Sequence, residues 1–277
     1  MARETWTADG WTLTDGLVRD VELREGLLRT AGLRGGNSVN AAGHGETWQP
    51  KKLAAGGFVL NMWLGEATRT QVEAAFDNLL RAVAPVHRLV RYRRGLAGGS
   101  FRQCDGEVVQ AIEPVPVGQL GMRMGIEVLV PSGAWEDVAD VLAATAAGGA
   151  LPQSLSLGGF AAGTAPMDAL LVTVNGPLAG GWQVAVVTDT GVDGDSFRYG
   201  GNLAAGQSMV LNTATWAVTG GGGFVPNLDL LTWSGPRYLT IPTARPGANC
   251  SLALRSAGGG GGAGTGLSVS GRRRYLA

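Results

Sequence analysis

The chain has 277 residues, with 22 basic and 22 acidic side chains and 46 glycines. Balanced charge argues against a protein whose main work is gripping nucleic acid or an anionic membrane. Two distant cysteines, Cys104 and Cys250, exclude a disulfide framework and suit free thiols in a reducing cytosol, while no apolar run reaches membrane-spanning length.

The first residues, Met1 to Trp6, carry an acid and no apolar stretch of the kind a signal peptide needs. Residues 1–30 read as short strands broken at Asp9-Gly10 and Asp15-Gly16, both strong turn dipeptides. Residues 32–50 are rich in Gly and Asn and lack periodicity, so a long loop or arm is expected there. Residues 56–64 read as a buried strand.

The clearest helix in the sequence spans 68–85. Val72, Phe76, Leu79, Leu80 and Val83 recur at three- and four-residue steps and fall on one face. Thr70 and Glu73 have capping-box spacing, and Pro85 ends the run because it has no N–H and its ring clashes with the preceding turn. One amphipathic helix among strands must lay its apolar face on a sheet.

After the helix, 86–94 reads as a strand with a basic tail, and 101–113 as another strand. Met122, Met124, Ile126, Val128 and Val130 alternate with their neighbours as a half-buried strand does. Composition shifts at 136–150, an Ala-rich run that reads as a short helix or a linker. The remainder shows short strands with turns about every ten residues, the pattern of a β-sandwich. The expected division is 1–135, a linker over 136–150, and 151–277. Gly258–Gly264 is expected to be a flexible tract.

Catalytic constellations are nearly missing. His44 and His87 stand apart from each other and from the cysteines, without metal-ligand spacing. Gly259, Gly261 and Gly264 formally match a dinucleotide fingerprint, but a strand-like Leu267-Ser-Val follows where a helix is required. Asp189, Asp193 and Asp195 offer oxygens to a cation but miss the EF-hand positions, so a polar turn is expected. Arg88, Arg91, Arg93 and Arg94 form a basic patch. With zero net charge it fits a subunit interface or solvated face better than a nucleic-acid face. Arg272, Arg273 and Arg274 read as a solvated strand end. Trp182, Trp216 and Trp233 are expected to pack in a core or interface; an exposed one would stack on a sugar.

The order of features carries a resemblance. A small β unit is interrupted by one helix with Val-Glu-Ala-Ala-Phe-Asp-Asn-Leu-Leu-Arg-Ala-Val, and closes on Val130-Pro-Ser-Gly-Ala-Trp135. A strand-rich half follows, with Leu171-Val-Thr-Val-Asn-Gly-Pro177, Phe197-Arg-Tyr-Gly-Gly201, Ala205 to Thr213 and a terminal Arg-Arg-Tyr-Leu. Over essentially its whole length the chain resembles the distal tail (Dit-like) minor tail proteins of long-tailed bacteriophages, in particular those of actinobacterial hosts.

That resemblance implies a mainly β fold. Its N-terminal domain would be a tail-tube-like β-sandwich or barrel with one flanking α-helix, and its C-terminal domain a galectin-like β-sandwich. It implies a non-enzymatic structural virion protein at the tail tip, made in the host cytoplasm. A homohexameric ring would join the tail tube protein to the tail-tip hub or baseplate, with DNA passing through the lumen. Other minor tail proteins and the tape measure protein would be neighbours. No cofactor, catalytic residue, metal, membrane or sequence-specific nucleic acid is implied. The loop 32–50, with Asn37 and His44, and the basic strand, with Arg88, Arg91, Arg93 and Arg94, are expected at subunit contacts. The alternative is a carbohydrate-binding, host-recognition module of a virion protein.

Overall fold

The computed structural model describes residues 4–25, 32–35, 38–39, 46–47, 52–96, 98–144, 149–234, 239–256, 258 and 261–276. The expected interface residues Asn37 and His44 lie outside them. The chain divides into two compact units, Met1–Val138 with Tyr275–Ala277, and Ala139–Arg274.

The first unit is built on one large curled sheet and one helix. Its strands run in the order Trp11–Thr12, Thr5–Ala8, Val90–Gly95, Phe101–Val108, Gly121–Val130, Gly56–Gly65 and Arg19–Glu25. Two ten-residue strands, Gly56–Gly65 and Gly121–Val130, pair antiparallel along their whole length. Their alternation sets the core: Phe58, Leu60, Met62 and Leu64 point inward beside Val128, Ile126, Met124 and Met122. The strand Phe101–Val108 changes partner along its length. Its start pairs with Ala134–Asp137 and its end with Gly121–Val130, which bends the sheet around the core. The last strand of the chain, Arg274–Leu276, pairs with Ala134–Asp137. Trp6, Phe58, Tyr92 and Trp135 fill the middle, with ring centroids 5.3–5.9 Å apart.

The helix spans Arg69–Val83 and buries Val72, Leu79 and Val83, with Phe76 half-buried against the same core. Its cap is Thr68, not the expected Thr70. Thr68 has extended backbone, and its hydroxyl accepts the Gln71 N–H at 3.3 Å. Thr70 already lies inside the helix, so Glu73 is free to pair with Arg69 at 2.8 Å instead of reaching back to a cap. The end falls where Pro85 demands it, with the Ala84 N–H still bonded to the Leu80 carbonyl.

The region expected as a long loop or arm carries strand pairs. Arg19–Glu25 pairs with Gly56–Gly65, and the same two chain segments meet again at Leu33–Arg34 with Lys52–Leu53 and at Ser38–Val39 with Glu46–Thr47. The antiparallel ladder thus recurs toward the segment's middle. The short helix or linker expected within 136–150 contains a strand, Val141–Ala144, paired to Gly266–Gly271.

The second unit holds two five-stranded antiparallel sheets. One runs Val141–Ala144, Gly266–Gly271, Leu170–Asn175, Ser208–Asn212, Ala217–Gly221; the other Gln153–Ser156, Ser251–Ser256, Trp182–Val187, Asp193–Tyr199, Leu231–Ser234. Both send their buried residues into one core. Val172, Val174, Leu211 and Val269 come from the first sheet, and Val184, Phe197, Leu252 and Leu254 from the second.

Two expectations fail here. The described part of the glycine tract is built into the unit: Thr265, fully buried, donates its hydroxyl to the Pro177 carbonyl at 2.8 Å and accepts the Gly262 N–H at 3.0 Å. A Cβ on Gly261 would sit 2.5 Å from the Gly149 carbonyl, so glycine is there because backbone passes close to backbone. The Arg272–Arg274 run is not simply a solvated end either. Arg274 is buried and reaches Asp168 at 2.5 Å and the Pro166 carbonyl at 3.3 Å, while Arg272 pairs with Asp140.

Candidate subunit interface

The four arginines that sequence places in one patch are divided by the strand they sit on. In Val90–Gly95, Val90 and Tyr92 point into the core, so Arg91 and Arg93 point outward. Arg94 shares the inward parity. It leaves the core at the strand's end, where it grips Glu4 through two bonds of 3.0 and 2.5 Å and lies near the Trp6 ring. Arg88 precedes the strand in a turn.

Asp9 and Asp105 organise the outward face. Arg91 makes a two-pronged pair with Asp105, 2.8 and 2.9 Å. These bonds raise the guanidinium's proton affinity above its ordinary value, with Asp105's charge reinforcing them against desolvation. Asp9 stands in left-handed backbone at the Asp9-Gly10 turn. It pairs with Arg88 through one carboxylate oxygen and accepts the Arg91 N–H at 2.9 Å with the other. Arg93 bonds Gln103, an amide, at 3.3 Å. A groove of about 540 Å³ runs among Asp9, Arg88, Leu89, Arg91, Arg93 and Asp105. The face is therefore a mosaic of paired charges, with Arg93 the outward arginine whose bond goes to a neutral partner.

Such a mosaic orients a partner more than it binds one, because half-exposed pairs are screened and each already has its counter-charge. It holds no nucleophile with an adjacent base. Cys104 lies beneath the face, and burial pushes its thiol well above the usual range.

The other sequence candidates do not converge. Asp189 takes the Arg245 backbone N–H and side chain, Asp193 makes a two-pronged pair with Arg255, and Asp195 accepts the Thr240 N–H. Trp182 is buried, edge-on to Phe197. Trp216 and Trp233 pack on each other edge to face at 4.8 Å. Trp182 therefore presents no face to a sugar. His87 lies in the turn after the helix.

One solved structure reproduces this architecture along its full length. The Dit protein of phage SPP1, described as a paradigm of the hub adsorption apparatus in phages infecting Gram-positive bacteria, covers 99% of this chain and 100% of its own, with TM-score 0.63 and 14% identity. The chain has the Dit fold. Two structures of the phage P2 baseplate in its activated conformation also match, with calcium (TM-score 0.41, 9% identity, 97% of this chain and 98% of that one) and with strontium (TM-score 0.39, 10% identity, 98% of both). No protein-family model matches the sequence, and no curated protein does.

Proposed function

We propose that this chain is a structural protein of a phage tail tip, of the actinobacteriophage type, and that copies of it close into a ring. The ring, of six subunits, adapts the last ring of the tail tube to the tip hub or baseplate, and DNA passes through its lumen. In this reading the first unit is the tail-tube-like, ring-forming domain. The second is a galectin-like β-sandwich on the outside, its two sheets packed over one core.

The observation that carries the reading is the Dit fold over the entire chain, both units included. Two physical features support it. A paired-charge face such as that of Arg88, Arg91, Arg93, Asp9 and Asp105 supplies orientation at a rim without strong self-adhesion. Closure by cyclic symmetry also removes the free strand edges that an isolated sheet would leave open to indiscriminate pairing. In the same reading the ribbon of Ser38–Val39 with Glu46–Thr47 would be a second contact element, since a two-stranded ribbon is marginal alone and gains by packing on a neighbour.

Arg93→Glu, at the outward arginine with a neutral partner, should leave the monomer folded and lower assembly. Sedimentation of the wild type and variant, each mixed with tail tube protein, tests this. Equal assembly of both would remove the basic face from the interface.

A further inference from the structure

We propose that the outward face of the first unit's sheet carries a saccharide-binding groove centred on Trp63. Met62 and Leu64 are buried, so Asn61 and Trp63 point away from the core. The register places Arg123 on one side of Trp63 and Asp20 on the other, with Val115 beyond Arg123. Gly125 lies directly across from Asn61. These residues and Glu113 line an open groove of about 460 Å³, within the range of small-molecule clefts of about 300–1,000 Å³.

The indole is laid flat by two glycines. A Cβ on Gly65 would come within 2.5 Å of its Cζ2 and Cη2, and one on Gly121 within 3.3 Å of its Nε1. The ring fills the space above both positions, which leaves its other face toward the groove. At Gly125 a Cβ would meet only the Asn61 Oδ1, at 3.7 Å, so the floor there is bare backbone.

Three polar side chains around this platform are available to a ligand. Among the described residues the side chains of Asn61, Glu113 and Arg123 have no hydrogen-bond or ion-pair partner, whereas Arg91, Arg94 and Arg255 each hold a carboxylate. Glu113 and Arg123 line one groove without pairing with each other. An amide, a guanidinium and a carboxylate offer donors and acceptors that match hydroxyl groups, and a flat indole suits the C–H face of a pyranose ring. The Glu113 carboxylate offsets the Arg123 guanidinium in the same groove, so the platform has no excess positive charge to draw phosphates, which disfavours a nucleotide or nucleic-acid strand there. The ligand class is a neutral, polyhydroxylated ring. This groove does not rest on the ring reading, and it lies in a different unit from the tryptophans Trp182, Trp216 and Trp233.

The test is titration calorimetry of the full chain with cellohexaose, maltohexaose and chitohexaose, and with the single strand dT6 as the charged comparison. Saturable binding of at least one hexasaccharide is expected. It should weaken at least tenfold in Trp63→Ala and in Gly125→Leu, and stay unchanged in Trp233→Ala. Gly125→Leu fills the groove while leaving the indole in place, so a folding defect in Trp63→Ala would not spoil the test; unfolding midpoints identify such a defect. Failure of all three hexasaccharides to bind overturns the proposal. So does binding that survives both groove variants, or dT6 binding at least as tightly as the best hexasaccharide.

Discussion

Asp15 shows how much one side chain can decide locally. One carboxylate oxygen accepts three backbone N–H groups, from Leu17, Val18 and Arg19, at 2.9–3.0 Å, and the other accepts the Arg19 Nε at 2.9 Å. Desolvation pushes its pKa up, but these bonds outweigh it and bring the value down to about 2. The folded pKa is below that of the unfolded chain, about 3.9. The group therefore stabilises fully at about pH 5 and above, and that contribution is lost as pH falls through about 2. Asp15→Ala should cost about 1–2 kcal/mol at pH 7 and flatten the acid limb of the stability curve between pH 4 and 2. Urea unfolding across that window measures both. Arg274 is the corresponding residue of the second unit. Its bonds to Asp168 and the Pro166 carbonyl fix the end of that unit, and Arg274→Ala should lower its stability by about 1–3 kcal/mol. The half-exposed Asp168 returns to solvent, so the cost stays below that of orphaning a buried charge.

At the scale of elements, the helix Arg69–Val83 separates two kinds of position. Leu79 is fully buried, so Leu79→Asp places an unpaired carboxylate in the core and should unfold the first unit. Arg81 is exposed, and Arg81→Glu should stay within about 0.5 kcal/mol of wild type. Circular dichroism melts of the two variants would read this directly; equal losses would contradict the assignment of faces. The helix was legible because its apolar spacing is long and regular, and Gly121–Val130 was legible because it alternates strictly. What stayed hidden depends on pairing. The split of Arg91 and Arg93 from Arg94 follows from which residue of the strand first faces the core. The ladder beyond residue 32 has no apolar period to announce it. Val141–Ala144 looks helical by its alanines and is a strand because Gly266–Gly271 lies beside it. The groove at Trp63 escaped for the same reason: Asp20, Asn61, Glu113 and Arg123 are scattered in sequence and meet only through register.

For the whole molecule, the distribution of chemistry matters as much as the fold. Many of the described carboxylates and arginines are spent on internal pairs, such as Arg94 with Glu4 and Arg255 with Asp193. Both units are organised around apolar cores, and no helix among the described residues is long and apolar enough to cross a membrane. That economy suits a component whose work is to hold a shape between neighbours. In the proposed reading those neighbours are a tube on one side, a hub on the other, and copies of the chain around the axis. The most direct test is the mass of the assembly formed when the purified chain is mixed with its tail tube protein, read by mass photometry together with negative-stain images. The account predicts closed rings whose chain content is about 170 kDa, six copies of 28.4 kDa. A chain that stays at the mass of a single copy, with no ring in any image, would contradict it.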